Sequence, residues 1–478
     1  MLYQVLQEHL ETFLERVELD GRNLPRFVVR ELRGFLRCGI RAHGFVRVRC
    51  PKCRHEFGVA FSCKGRGWCP SCGGRFMAQT AAHLVEHVLP EGVGYRQWVL
   101  TLPWDLRYRV AYDAKLCSAI LRLFVRKLSA WHLDRATAQG VESAQWGAVT
   151  VVQRFGSAMQ LMPHFHTVGF DGVLSVPKGA DSALVQQLAA PTDDEIGRLV
   201  EEVHARLRRL LQRRGLLPDE HAAASEEDAL ASEEPALATC YATALRAPRK
   251  LDVGLWTVPS EAKASCSKPL CARFGGLDLH AGVSVAASDR QGLERLCRYL
   301  CRPPVSHDRL EQLDDEHVGL RLKTPYSDGT THLVLHAHEF LQRLCALVPR
   351  PGTHRVHYHG LLAPAARDRR RVVPAPQLVD DGPSDGEEEE AIAVDIEDDE
   401  RRRRPTVRKL LWAALLQRVF GIDALRCPKC DGRMRVIATI IEAKVVKAIL
   451  DALGLESAPP SIRSSRGPPE QEMVEYEW

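Results

Sequence analysis

The chain has 478 residues, 45% of them hydrophobic and 26% charged, with a formal net charge of +4. That length exceeds one small domain, and the apolar content supports real cores. No apolar run reaches the roughly 20 residues that a membrane helix needs, and the first residues lack the apolar core of a signal peptide. A cytosolic protein with no membrane association is expected, in the bacterial cytoplasm and at the nucleoid when acting. Fifteen cysteines in such a chain point to metal binding rather than disulfides. Charge is segregated: Asp380–Glu400 is acidic, whereas Arg22–Arg75 and Arg401–Lys409 are basic. Apart from its acidic block the chain suits a polyanionic partner.

In chain order, residues 1–36 read as one or two short helices, because L-x-x-H-L-x-x-F-L puts its apolar side chains on one face. Residues 38–77 form a Cys- and Gly-rich basic module, followed by a helix over Ala78–Leu89. A strand, Arg96–Leu102, ends at Pro103, and a helical segment follows over Leu106–His132. Trp146–Gln153 and Met159–Phe170 read as a hairpin turning at Gly156–Ser157. The stretch 212–246 has little to bury and is expected to be a surface insert. Leu277–Ala286 alternates as a strand, Asp289 is placed to cap the next helix, and Pro303-Pro304 stops it. A hairpin over Val318–Leu322 and His332–Leu335 turns at Asp328-Gly329.

Residues 374–405 read as an acidic disordered linker. Residues 406–456 read as a small helical domain with a cysteine knuckle, its helices over Val407–Phe420 and Ala443–Leu453. The rest, 457–478, reads as a disordered tail. The expected division is 1–90 for the N-terminal helices and zinc module, then 91–373 for the catalytic domain. The fold class is α+β: an antiparallel sheet of roughly four or five strands with helices, a zinc-ribbon-like module in front and the small helical domain behind.

Cys50-Pro-Lys-Cys53 and Cys69-Pro-Ser-Cys72 are two C-x2-C knuckles. Four thiolates at that spacing match one tetrahedral structural Zn2+ site. Cys63 between them reads as a buried small side chain; it, or Cys38, His43 or His55 nearby, could instead replace a knuckle member or help form a second site. Lys64 and Arg66 are among the cations of this module, and Phe57, Phe61 and Trp68 are interleaved with them, a pattern suited to DNA. Cys427-Pro-Lys-Cys430 is a third knuckle with no cysteine after it, so it either borrows ligands from elsewhere or serves only as a turn.

In M-P-H-F-H-T-V-G-F, His164 and His166 share one face of a strand. Two neutral imidazoles converging there make a partial metal site. Tyr299, in the basic turn L-E-R-L-C-R-Y-L-C-R-P-P, completes the equipment for metal-assisted attack on a DNA phosphodiester. Arg295 at i−4, Arg298 and Arg302 at i+3 are candidate DNA contacts. Gln153 and Asp171 are candidates for a third metal ligand. His357-Tyr358-His359 is read as an incidental second H-x-H. No G-x-x-x-x-G-K-[ST] loop is present, and no small-molecule cofactor is expected.

R-C-P-K-C, F-S-C-K-G-R-G-W-C-P-S-C-G-G-R, Q-R-F-G-S-A-M-Q-L-M-P-H-F-H and R-L-C-R-Y-L-C-R-P-P occur in that order. L-K-T-P-Y-S-D-G-T-T-H, Y-H-G-L-L-A-P and C-P-K-C-D-G-R-M follow. Together they resemble rolling-circle transposases of the insertion-sequence 91 group. The resemblance implies an N-terminal zinc-binding domain and a nuclease of the His-hydrophobic-His (HUH) class. It also implies Mg2+ or Mn2+ at His164 and His166 and Tyr299 as nucleophile. The single-stranded ends of a mobile element would be cut and rejoined through a 5′-phosphotyrosine. Some members carry two tyrosines four residues apart; here Arg295 holds the earlier position. A replication initiator or relaxase would share this chemistry, and a zinc-dependent DNA-binding protein without turnover is the non-enzymatic alternative.

Overall fold

The computed structural model describes residues 1–175, 177, 183–216, 229–245, 262–326, 328–373, 423 and 425–466. The expected acidic linker and the Val407–Phe420 helix lie outside the described residues. At the centre is a seven-stranded sheet rather than one of four or five. Its spatial order is Val356–Gly360, Gly147–Phe155, Leu161–Phe170, Tyr95–Thr101, Leu277–Val285, Cys271–Phe274, Ser265–Lys268. Every neighbouring pair is antiparallel. The two extra strands on one side are short, and the strand on the other is the Y-H-G segment.

Alternation along the central strands gives the sheet two different faces. Trp98, Leu100, Phe165 and Thr167 point one way. Trp98 packs edge-on against Trp131, at 5.5 Å between ring centroids, and against His132 at 5.6 Å. The helix Ala114–Ala138 therefore covers that face, with Asp193–Gln212 beside it. Gln97, Val99, Val151, Gln153, His164 and His166 point the other way, toward the helix Arg290–Cys301. The Leu161–Phe170 strand is covered on both faces, which explains its nearly unbroken burial.

The expected helix over Leu106–His132 is two helices, Trp104–Tyr112 and Ala114–Ala138. Asp113 divides them, because its carboxylate accepts from Leu116 N–H at 2.8 Å and starts a new N-terminus. Asp289 caps the tyrosine helix in the same way, through Gly292 N–H at 2.7 Å. The hairpin His317–Arg321/His332–His336 forms around Gly329, whose φ of +87° suits the turn.

The expected surface insert needs correction. Within 212–246, Pro235–Leu245 is a buried helix. It packs with Leu2–Leu19, Arg26–Phe35 and Ala337–Leu347 in a second apolar core. Tyr241, fully buried, takes a hydrogen bond from Arg154 at 2.9 Å. An alanine-rich run looks poor in apolar mass, yet small side chains let helices approach closely.

The C-terminal segment is likewise not an independent helical unit. Arg435–Ile440 adds a strand to Phe45–Arg49, which pairs in turn with Glu56–Ala60. The helix Ala443–Ala452 follows. The start of the expected tail lies along the first helix, where Gln7 Nε2 donates to Ser461 O at 2.6 Å and Arg463 N–H donates to Gln7 O at 3.0 Å.

Candidate active site and cysteine centres

His164 and His166 meet at one point. Their Nε2 atoms are 3.0 Å apart. Two cis ligands on an ion held at roughly 2.1 Å would stand at about that separation. His164 Nδ1–H donates to Met162 O at 2.7 Å, so its Nε2 carries the lone pair. His166 Nδ1 lies 2.7 Å from the Gln97 amide, a partner sequence reading did not single out. Burial pushes the His164 pKa down to about 4 and that of His166 well below its usual range. Both rings are thus neutral at neutral pH, the state a metal requires of them.

Gln153 lies opposite His164 on the neighbouring strand. Its Nε2 donates to Leu300 O at 2.6 Å and to Tyr299 O at 3.2 Å, while its Oε1 is buried without a partner. An orphaned buried acceptor beside two neutral imidazoles fits a cation. Among the described residues no third His, Cys, Asp or Glu joins the pair. Asp171 is not there: both its oxygens accept from Arg96, at 2.7 and 2.8 Å.

Tyr299 stands over this pocket, its ring perpendicular to His166 with centroids 5.8 Å apart. It is 39% exposed, so a strand of nucleic acid can reach it. The Arg302 guanidinium lies 4.7 Å from the tyrosine ring centroid and Lys323 Nζ lies 5.1 Å from it. Lys323, in the L-K-T-P-Y hairpin, enters the site only through tertiary folding.

The other candidate cations stand apart. Arg298 pairs with Glu294 at 2.6 Å and Arg295 leans toward Asp289 at 3.8 Å. Lys64 and Arg66 are exposed on the loop between Cys63 and Cys69. His359 Nε2 lies 3.0 Å from Thr150 Oγ1, on the sheet face away from His164.

The cysteines pair differently from the expected single site. Cys50, Cys53, Cys69 and Cys72 do not come together. One group is Cys38, Cys63, Cys69 and Cys72; the other is Cys50, Cys53, Cys427 and Cys430. In the first, Sγ separations are 3.7 Å for Cys38–Cys69, 4.0 Å for Cys38–Cys72 and 3.4 Å for Cys63–Cys72. A tetrahedral ion with Zn–S near 2.3 Å implies about 3.8 Å, so the donor set fits. Cys63 is therefore in the ligand group, not merely a small buried side chain. C-x2-C spacing identifies knuckles but not which two share a metal.

The first group is coupled to the tyrosine. Cys69 and Cys72 open the helix Pro70–His87, which starts at the knuckle with proline in its first turn. That helix lies along the tyrosine helix. Gly73 lies so close to Pro303 that a Cβ would stand 2.7 Å from the proline Cβ. Arg290 donates to the carbonyls of Leu89 and Pro90, both at 3.1 Å.

Two family models match. Residues 5–102 match the "Transposase zinc-binding domain" of insertion-sequence 91 elements, and residues 147–370 match the model described as "Putative transposase". Together the two matches are those of an insertion-sequence 91-type transposase. No curated protein and no solved structure matches it. The second match contains His164, His166, Tyr299 and Lys323. The first contains all the N-terminal cysteines but stops far short of Cys427. The zinc-binding match and the thiol geometry together support structural Zn2+ in this transposase. A transposase acts on DNA, which makes DNA its partner. Among the described residues no helix is long and apolar enough to cross a membrane.

Proposed function

We propose that this transposase nicks and rejoins single-stranded DNA at the ends of its element through a covalent 5′-phosphotyrosine on Tyr299, on an HUH-type core within 91–373. The observation that carries the reading is Tyr299, exposed and perpendicular to His166, above two imidazole nitrogens 3.0 Å apart. The phenolic oxygen attacks the scissile phosphorus in line, the P–O3′ bond breaks, and the 3′-oxygen leaves as a hydroxyl once protonated. Rejoining reverses the step, so bond energy is conserved and no nucleotide cofactor is needed.

Arg302 and Lys323 flank the tyrosine ring, drawing the phosphodiester toward it and offsetting the negative charge that develops there during attack. His164, His166 and the Gln153 Oε1 would hold Mg2+ or Mn2+, which when bound supplies Lewis acidity at the phosphate. For His166 to offer Nε2, the Gln97 amide presents its oxygen to Nδ1–H. Gln153 positions the nucleophile by holding the last turn of its helix. Arg295, Arg298, Lys64 and Arg66 are proposed as contacts to the flanking backbone. With Arg295 at the i−4 position, a single chain performs one covalent attack at a time.

The test is covalent capture on labelled single-stranded DNA carrying the element's own ends, with Mg2+, Mn2+ or chelator. A metal-dependent, denaturant-resistant protein–DNA adduct is expected, lost in Tyr299→Phe and in His164→Ala. Tight binding of those ends with no adduct under any metal would overturn the proposal.

A further inference from the structure

The second cysteine group joins opposite ends of the chain: Cys53 and Cys427, 374 residues apart, have Sγ atoms 3.5 Å from each other, as do Cys50 and Cys430. The two C-P-K-C segments have the same backbone. Cys50 N–H donates to His55 O at 2.8 Å and Arg54 N–H to Cys50 O at 2.9 Å. Correspondingly, Cys427 N–H donates to Gly432 O at 2.8 Å and Asp431 N–H to Cys427 O at 3.0 Å. Arg54 and Asp431 occupy matching left-handed positions, φ +60° and +57°. Gly432 must stay small, because a Cβ would lie 3.2 Å from Cys50 Sγ and 3.3 Å from Cys430 Sγ.

Other forces at this joint are weak. Its buried apolar groups are Val48, Cys50, Cys427 and Met434, with Phe45, Val446 and Leu450 beyond. Val436 and Ile437, on the joining strand, are exposed. The strand register sets Arg435 directly opposite Arg49, a like-charge pair that opposes docking. Bringing together segments this far apart in the chain also carries a loop-closure cost. Beside the strand ladder and this modest burial, four converging thiolates around a divalent ion would supply a strong tie.

We infer that Cys50, Cys53, Cys427 and Cys430 bind a second structural Zn2+, separate from the ion of the first cysteine group. This ion clasps the C-terminal segment 425–452 onto the N-terminal module. The N-terminal zinc-binding module is thus completed by residues outside its family match, and the clasp does not depend on the tyrosine chemistry.

The test uses the intact metal-replete protein. Native mass spectrometry is expected to count two zinc ions per chain. Cys53 is exposed, yet it should resist iodoacetamide together with Cys50, Cys427 and Cys430, while exposed Cys266 labels at once. Chelation should make the four reactive as one group. Cys427→Ser/Cys430→Ser should lower the count from two to one and remove amide-exchange protection from Arg435–Ile440 but not from Leu161–Phe170. One zinc per chain in the unmodified protein, or Cys53 labelling as fast as Cys266, would overturn the inference. Neither of these readings needs the variant to fold.

Discussion

Gln153 donates from its side-chain amide to the backbone carbonyl of Leu300 at 2.6 Å and to that of Tyr299 at 3.2 Å. The final carbonyls of a helix have no partner within it, and here one strand residue satisfies two of them. Because Gln153 also sits opposite His164, the same side chain spaces the tyrosine helix from the histidine strand. Gln153→Leu is expected to slow adduct formation about 10- to 100-fold, with unchanged zinc content. It should also cost about 1–3 kcal/mol of stability for the buried groups left unpaired. Single-turnover capture and denaturant melting read the two effects separately.

The two cations at the tyrosine should be separable from folding. Arg302→Ala and Lys323→Ala are each expected to lower the rate of covalent capture about 10-fold or more, with little change in melting temperature. Arg302→Lys, which keeps the charge but loses the planar guanidinium, should recover part of that rate. Equal rates in all three proteins would remove these residues from the chemistry.

Asp171 and Gln153 were equal candidates by sequence position, and they should now behave differently. Arg96 is almost fully buried and holds Asp171 by two hydrogen bonds. Asp171→Ala leaves that guanidinium without its anion, so a loss of about 3 kcal/mol is expected. Metal-dependent capture, measured well below the melting temperature, should persist.

Packing of the helix that follows Cys69 against the tyrosine helix predicts a long-range effect. Gly73→Val would force a side chain into Pro303, shifting the end of the tyrosine helix. Covalent capture should fall while zinc content holds. Cys63→Ser should instead remove one zinc and lower the melting temperature, because it deletes a ligand.

Stability should decline on mild acidification. His132 is buried against Trp98, Trp131 and Trp146, and burial pushes its pKa down to about 3. An unfolded histidine titrates near 6.5. Between those values the unfolded chain binds more protons, so the stability present above pH ~6.5 drains away as pH falls toward about 3. Replacing the ring by His132→Leu should flatten that limb of the stability–pH curve, measured by denaturant melts from pH 7 to pH 4.

The local parts of the site were legible because their signals are local. The i, i+2 spacing of His164 and His166 puts both rings on one strand face, Asp289 and Pro303 bracket the Tyr299 helix, and Gly329 marks its hairpin. Sequence by itself therefore determined which strand face and which helix present the proposed catalytic side chains. It did not determine their partners. Three C-x2-C knuckles and the single cysteines Cys38 and Cys63 can be combined into tetrathiolate sites in several ways at no local cost. Only the approach of Cys38 and Cys63 to one knuckle, and of Cys427 and Cys430 to the other, selects the pairing. Likewise Lys323 reaches Tyr299, and Gln97 reaches His166, across strands or hairpins distant in the chain. Short-range periodicity encodes the face on which a residue lies; long-range packing decides what it meets there.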